Sequence, residues 1–383
     1  MSTVAASIPQ PCDAAPDRRL CRVLHAACGE FATRHPQPGW RALLLTGSLA
    51  RGESCWQRAG DRWLLAGDAD LITVVASRNA ARRYVGGLHE HLAAALEEAG
   101  VHADLSLGLM DLRALRRLPA SIFTLELITC GRILWGEPQV LRWAPRCTPA
   151  QIPREDAWRL LNNRIVECLA AVVQSSLAER LNHALDKLHA AIADSWLLFT
   201  GRYALGACQR LRRIESALAA GNGGLPWTHT PSLLASLRRA AAREPLPTEP
   251  RPKEATLRRI AAHTEAAWTW ELHQLGAGRL CDAARRKDAG GGSLAWLAAA
   301  HAAPNHRTKV RCLSRAMRPN APSPRYCVYA AAAACWFSYP HLTDDARRAA
   351  ARMPCPPPTG AGWEAVAAAI AGNYRQWIEH TSR

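Results

Sequence analysis

Five residues carry the most chemical information in this sequence: Gly47, Ser48, Asp68, Asp70 and Asp104. Asp68 and Asp70 precede the apolar, β-branched run Leu71 to Ala76, which reads as a strand. Residues i and i+2 on an extended backbone point to the same side, so the two carboxylates share one face at the strand's entrance. An oxygen-rich pair of this kind suits Mg²⁺, which is commonly held by one or two carboxylates and shared with substrate phosphates. Asp104 lies between Ala103 and Leu105 in a second predicted strand, Val101 to Leu109. A carboxylate buried there is costly without a partner, so it is expected to join the first two around one or two metal ions. Gly47 and Ser48 follow the apolar run Leu43-Leu44-Leu45. Glycine lets the backbone approach an anion closely, and neighbouring N–H groups with the Ser48 hydroxyl can then bind phosphate oxygens. Phosphoryl or nucleotidyl transfer needs mainly positioning and charge neutralisation, and this set supplies both.

The elements that must position these residues are legible in the pattern. Asp17 to His35 has helical spacing in Leu20, Val23, Leu24, Ala27 and Phe31. Arg41 to Thr46 predicts a short buried strand, and Gly47 to Glu53 a glycine-bounded turn. Arg78 to Ala99 predicts a helix closed by Gly100 at the residue past its end. Ser121 to Thr129 predicts a helix, and Arg132 to Trp135 a last short strand after Gly131. The first stretch is thus α+β, with a small mixed sheet and flanking helices. Beyond Pro145 and Pro149 long helical patterns take over: Glu155 to Val173, Leu177 to Leu198, Gly206 to Ala219, Glu254 to Leu275, Arg325 to Phe337 and Trp363 to His380. Asn222-Gly223-Gly224 breaks the chain, Pro245 to Pro252 and Pro354 to Gly362 read as linkers, and Ala289 to Ser293 as a flexible joint. We expect a catalytic domain over 1–148, a helical domain closing its cleft over 149–245, and a helical C-terminal domain over 253–383.

Gly-Ser, then Asp-x-Asp before an apolar strand, then a third acid in a later strand, resembles the signature of DNA polymerase beta-like nucleotidyltransferases. The run Gly47-Ser48-Leu49-Ala50-Arg51-Gly52-Glu53 looks most like bacterial small nucleotidyltransferases, of the aminoglycoside-modifying and minimal, antitoxin-like types. The resemblance covers roughly residues 40–137, and Gly131-Arg132-Ile133-Leu134-Trp135-Gly136 looks like the close of such domains. It implies that Gly47, Ser48, Arg51 and Glu53 hold the nucleoside triphosphate. It implies that Asp68, Asp70 and Asp104 are catalytic and bind metal, Asp104 also helping to activate the acceptor hydroxyl. The implied activity is Mg²⁺-dependent transfer of a nucleoside monophosphate, AMP from ATP foremost, to a hydroxyl of a small molecule, sugar or protein. The departure is the segment between Ser48 and Asp68, which is longer than usual. Cys55 to Leu65, with Trp56 and Trp63, reads as an inserted hairpin or loop, either a lid over the base or an inert excursion packed on the core; the inert reading is preferred.

In the helical region Asn162, Asn163, Arg164, Lys187, Arg202, Tyr203 and Arg210 are the polar candidates. Lys187 is the expected cation toward the phosphates, with Arg164 as the alternative. Arg180 and His183 read as surface residues. The many tryptophans after 254 are expected to fill helix-packing interfaces.

Composition narrows the classes. Lys and Arg outnumber acids 48 to 32, for a net charge of +16, which favours polyanionic ligands such as nucleotides. Abundant Ala and Arg with scarce Lys also fits a coding bias. No dense basic run interleaves with aromatics, so nucleic acid is compatible but not indicated. Thirteen cysteines form no C-x-x-C pair and read as reduced thiols. No apolar stretch long enough to span a membrane occurs, and Met1 to Pro16 lacks a leader pattern, so a cytoplasmic location without membrane contact is expected. Two alternatives stand beside the transferase: a non-catalytic nucleotide-binding or antitoxin-like protein with a protein partner, and an enzyme acting on RNA ends.

Overall fold

A computed structural model describes residues 15–35, 39–174, 178–220, 230–244, 252–276, 292–318 and 322–377. The expected break at Asn222-Gly223-Gly224, nearly all of the Pro245 to Pro252 linker and most of the Ala289 to Ser293 joint lie outside the described residues, as do residues 1–14. The chain divides into two compact units. The first comprises Met1–Pro153, Thr200–Ala217 and Leu234–Leu246; the second comprises Arg154–Phe199, Leu218–Leu233 and Pro247–Arg383. The region expected as one helical domain over 149–245 thus contributes to both.

The first unit is α+β. Its elements run α1 (Ala15–Arg34), β1 (Trp40–Leu45), α2 (Gly47–Ala50), β2 (Trp56–Ala59), β3 (Arg62–Val75), α3 (Arg78–Glu98), β4 (Val101–Asp111), α4 (Leu112–Arg116), α5 (Ile122–Cys130) and β5 (Arg132–Gly136). The five strands form one mixed sheet. β3 is its spine: β4 pairs parallel along one edge, and β2 and β1 pair antiparallel along successive stretches of the other. β5 continues the sheet beyond β1, antiparallel to it. Parallel neighbours need a crossover, and α3 supplies it between β3 and β4. It ends as expected, with Gly100 at φ +66° and its N–H donating to the Glu97 carbonyl.

Alternation along the strands sorts the two faces. Leu43, Leu45, Ala69 and Leu71 pack with Leu20, Leu24 and Phe31 of α1 and Leu88, Leu92 and Leu96 of α3. Ala42, Leu44, Ile72, Val74 and Met110 pack on the other face, with Leu115 of α4 and Leu127 of α5. Burying a leucine fully is worth about 1.5–3 kcal/mol, so reversing either face would sacrifice most of the core.

One expectation needs correction. The strand carrying Asp68 and Asp70 begins at Arg62, so the two acids lie within a 14-residue strand and not at its entrance. The inserted segment is its cause: β2 folds back antiparallel on the first residues of β3, pairing Trp56 with Leu65 and Ala59 with Arg62, and so extends the strand backwards.

The second unit is helical over its described residues. It includes α6 (Arg154–Gln174), α7 (Ala178–Phe199), α10 (Glu254–Gln274), α11 (Gly292–His301), α12 (His306–Ala316), α13 (Pro324–Phe337), α14 (Asp344–Ala350) and α15 (Trp363–Trp377). α8 (Ala207–Ala219) and α9 (Thr230–Ala242) each contribute residues to both units. No described helix is long and apolar enough to cross a membrane. Aromatic side chains knit the helices as expected: Trp158 meets Trp268, Tyr326 and Tyr329, and Trp268 meets Phe337. Every described cysteine is a free thiol.

Glu271 of α10 is fully buried in this unit, where the Ser195 hydroxyl of α7 donates to its Oε1 and its Oε2 has no partner. Burial pushes its carboxyl up to about 8, with the Ser195 hydrogen bond opposing weakly. The folded state therefore holds a proton that the unfolded chain releases near 4.5, and stability falls as pH rises from about 4.5 to about 8. Glu271→Gln is expected to flatten this loss, raising stability at pH 8 by a few kcal/mol and changing it little at pH 4, as read by thermal or urea melts across pH.

Candidate functional site

The register between β3 and β4 brings the three aspartates together. Asp68 stands directly opposite Asp104, and Asp70 opposite Ser106. Directly opposed residues project to the same side of a sheet, and Asp70 shares that side with Asp68 two residues away. It is the side of Ile72, Val74 and Met110. There α4 and α5 cover the far end of the strands. Between the pairs Leu64–His102 and Asp68–Asp104, β3 advances four residues and β4 only two. The irregularity falls on Leu65 to Gly67, with Gly67 at φ +115°. Bulges of this kind re-aim the side chains that follow.

Asp104 also departs from expectation. It is exposed, not buried, and forms no hydrogen bond or ion pair among the described residues. Around Asp104 its strand is apolar on one side only: Ala103, Leu105 and Leu107 pack toward α1 and α3, so the exposed carboxylate carries no desolvation cost.

The Gly47 turn closes on the same aspartates. Thr46 N–H donates to the Asp70 carbonyl at 2.8 Å, tying the end of β1 to β3. The chain then turns through Gly47, at φ +69°, into the single helical turn α2. A Cβ on Gly47 would overlap Asp70 Oδ2 and lie 3.1 Å from Asp70 Cβ and Cγ. Only glycine accepts both this conformation and this approach. Ser48 is half-buried beside it; its carbonyl accepts from Glu53 N–H at 2.8 Å, while its hydroxyl makes no hydrogen bond among the described residues.

Arg51 and Glu53 sit next to this turn but are committed to an ion network. Arg51 Nε donates to Glu53 and Arg51 Nη1 to Glu126 of α5, each at 2.7 Å. Arg210 of α8 donates to the other Glu53 oxygen at 2.7 Å. All four side chains are nearly buried. Burial works against the Arg51 charge, but Glu126 and Glu53 hold its pKa well above the usual guanidinium value. Burial likewise pushes the Glu53 carboxyl up, yet Arg210 and Arg51 outweigh it, and the backbone of Ala207 adds a hydrogen bond, bringing it to about 2. Two cations and two anions thus neutralise each other behind the Gly47-Ser48 turn and hold it rigid. Sequence reasoning assigned no charge partner to Glu126, because its partners are distant in sequence; its place in an otherwise apolar helix, Ile122–Cys130, was the available signal.

The inserted hairpin is anchored. Ser54 Oγ and Trp56 Nε1 both donate to Oδ1 of the fully buried Asp17 in α1, at 2.7 and 2.6 Å. Trp56 also packs against the core formed by α1 and α3, and Arg58 stacks on Trp63. Lys187 is half-buried on α7 of the second unit. Asn162 and Asn163 serve packing within that unit: Asn162 bonds the Trp158 carbonyl and accepts from Trp268 Nε1, and Asn163 accepts from the Tyr329 hydroxyl. Arg164 pairs with Glu167.

No protein-family model and no curated protein sequence matches this chain. The site must therefore be read on its own chemistry. Among the described residues no group of three or more His, Cys, Asp or Glu side chains is placed to hold a metal ion. Asp68, Asp70 and Asp104 share a face of the sheet without forming such a group, and Gly47 lies against the Asp70 carboxylate. A divalent cation there would draw only part of its shell from these carboxylates and complete it with oxygens of a bound ligand.

Three variants test the support of the turn. Gly47→Ala should displace Asp70 and strain the backbone, costing about 1–2 kcal/mol in a urea melt. Glu126→Ala should cost about 3 kcal/mol, because it leaves Arg51 buried with one partner fewer. The network's contribution through Glu53 is complete above pH 4.5 and lost as pH falls toward about 2, so the wild-type stability excess over Glu53→Gln should shrink across that window.

Proposed function

We propose that this chain is a Mg²⁺-dependent nucleotidyltransferase of the DNA polymerase beta type, transferring a nucleoside monophosphate to a hydroxyl. The observation that carries the reading is the opposition of Asp68 and Asp104 across β3 and β4, on one face with Asp70 and beside the Gly47 turn. AMP from ATP to a small molecule, sugar or protein hydroxyl is the assignment that the sequence resemblance favours.

Each residue then has a definite task. Asp68 and Asp70 would hold the ion, with Asp104 completing the set. The chemistry that Mg²⁺ contributes when bound is neutralisation of phosphate charge during in-line displacement. Gly47 and Ser48 bind triphosphate oxygens through backbone N–H groups and the free hydroxyl, next to the carboxylates. Asp104, exposed and unpaired, receives the proton of the acceptor hydroxyl as that oxygen bonds the α-phosphorus and pyrophosphate departs. Its exposure admits a bulky acceptor. Arg51, Glu53, Glu126 and Arg210 are positioning residues that keep the turn in place.

Purified protein given labelled nucleoside triphosphates and Mg²⁺ should release pyrophosphate or label an acceptor or itself. Asp68→Ala combined with Asp70→Ala should reduce this by roughly 10³-fold, the scale of several kcal/mol of lost charge stabilisation. Unchanged turnover in the double variant would remove the assigned site.

A further inference from the structure

Among the described residues the exposed large hydrophobic side chains all belong to one helical hairpin, α11 with α12 and its cap: Leu294, Leu297, Val310, Leu313 and Met317. At about 100° per residue, Val310, Leu313 and Met317 fall within roughly 60° of each other on α12. The buried side chains of that helix, Thr308 and Cys312, lie on the opposite pole. The stripe thus points straight away from the core. Lys309 flanks it on one side, and Arg307, Arg311 and Arg318 on the other. On α11, Trp296, Ala299 and Ala300 face the core, and Leu294 and Leu297 face out.

The surrounding charge has one sign. Residues 292–318 hold five Lys or Arg and no Asp or Glu. Arg307, Lys309, Arg311, Arg315, Arg318 and the nearby Arg352 form no ion pair with an acid among the described residues. Burial holds the Arg315 pKa below the usual guanidinium value, against an opposing effect of Cys327, and the like charges of Arg318, Arg311 and Arg352 add to the lowering. Arg311 Nη1 donates to the Ala351 carbonyl, a neutral partner that leaves its charge uncompensated. Uncompensated cations around a protruding apolar stripe are complementary to a surface with an anionic boundary over an apolar interior.

We propose that the α11–α12 hairpin is a peripheral docking surface for an anionic lipid bilayer, with the aliphatic stripe entering the acyl boundary and the flanking Arg and Lys meeting headgroup phosphates. Basic amphipathic helices bind interfaces in this way. Two features favour the bilayer over other polyanions. Nucleic acid offers phosphates but nothing to bury an aliphatic stripe at the solvent pole of a helix. A partner helix needs a groove, whereas Leu294 is 68% and Met317 85% exposed, so neither stands between walls. This surface is independent of the aspartate site, and the proposal does not rest on the catalytic reading.

The full chain should co-sediment with vesicles of phosphatidylcholine and phosphatidylglycerol, far less with phosphatidylcholine alone, and release as salt is raised. Leu294→Glu with Met317→Glu replaces two exposed side chains and should weaken this binding on the order of tenfold or more, given the transfer energy of an aliphatic side chain. Amide exchange over 292–318 in the unaltered protein should slow on the mixed vesicles, which tests the surface without any variant. Absence of binding to the mixed vesicles, or of that protection, overturns the proposal. So does binding that the double variant leaves intact. That pattern, matched by equal binding to duplex DNA or polyglutamate, assigns the patch to polyanions in general.

Discussion

Pairing two strands in parallel decides which residues stand side by side, and a slip of a single residue turns a whole set of side chains to the other face. The pairing of β3 with β4 has this weight here. Its register is held by apolar alternation: Ala69, Leu71, Leu105 and Leu107 must meet α1 and α3, while Ile72, Val74 and Met110 must meet α4 and α5. Burial of these side chains dictates the register, and the aspartates follow from it. Asp68, Asp70 and Asp104 occupy the positions that alternation assigns to the α4–α5 face, beyond the covered end. Hydrophobic energy at one end of the strands thereby sets up a cluster of like charges at the other, which no electrostatic preference of the carboxylates would form unaided.

The Gly47 turn depends on the same sheet. Its backbone bond to Asp70 and its contact with that carboxylate require β1 to lie beside β3. The turn's outer side is stiffened by a different interaction, the Arg51–Glu53–Glu126–Arg210 network. Buried ions are expensive individually and tolerable as a satisfied set. Their use here ties α2, α5 and α8 into one support, and the Ser48 hydroxyl takes no part in it. The same division recurs in the hairpin, where Asp17 secures Trp56 and Ser54, so the insertion adds strand length to β3 at no cost in order.

The second unit carries its polar residues differently. Asn162 and Asn163 satisfy aromatic donors between helices, and Glu271 is retained as a neutral acid inside the bundle. On α12 and its cap five cations stand without an acidic partner among the described residues. The net charge of the chain is therefore not a uniform basic coat but includes a concentrated cationic patch, set where apolar side chains are also left outside.

Much of the first unit is legible in the amino-acid sequence. The α+β order, the helix ending at Gly100, the strands around Leu43, Leu71 and Val101, and the shared face of Asp68 and Asp70 all follow from local periodicity and turn chemistry. The short helices α9, α11 and α14 escape such a reading, because their Ala-rich segments lack a contrasting period; the capping residues Asn305 and Thr343 are the visible signals of α12 and α14. Three matters only the tertiary structure decided. Asp104 is open to solvent because one face of β4 is left uncovered at that end. β3 is long because β2 folds back on it. Arg51 and Glu53 are bound to Glu126 and Arg210, residues up to 157 positions away. Local spacing decides which way a side chain points along its own element, because that depends on backbone dihedrals alone. What it meets there is decided by which other elements pack against it, and that depends on burial summed over the whole unit.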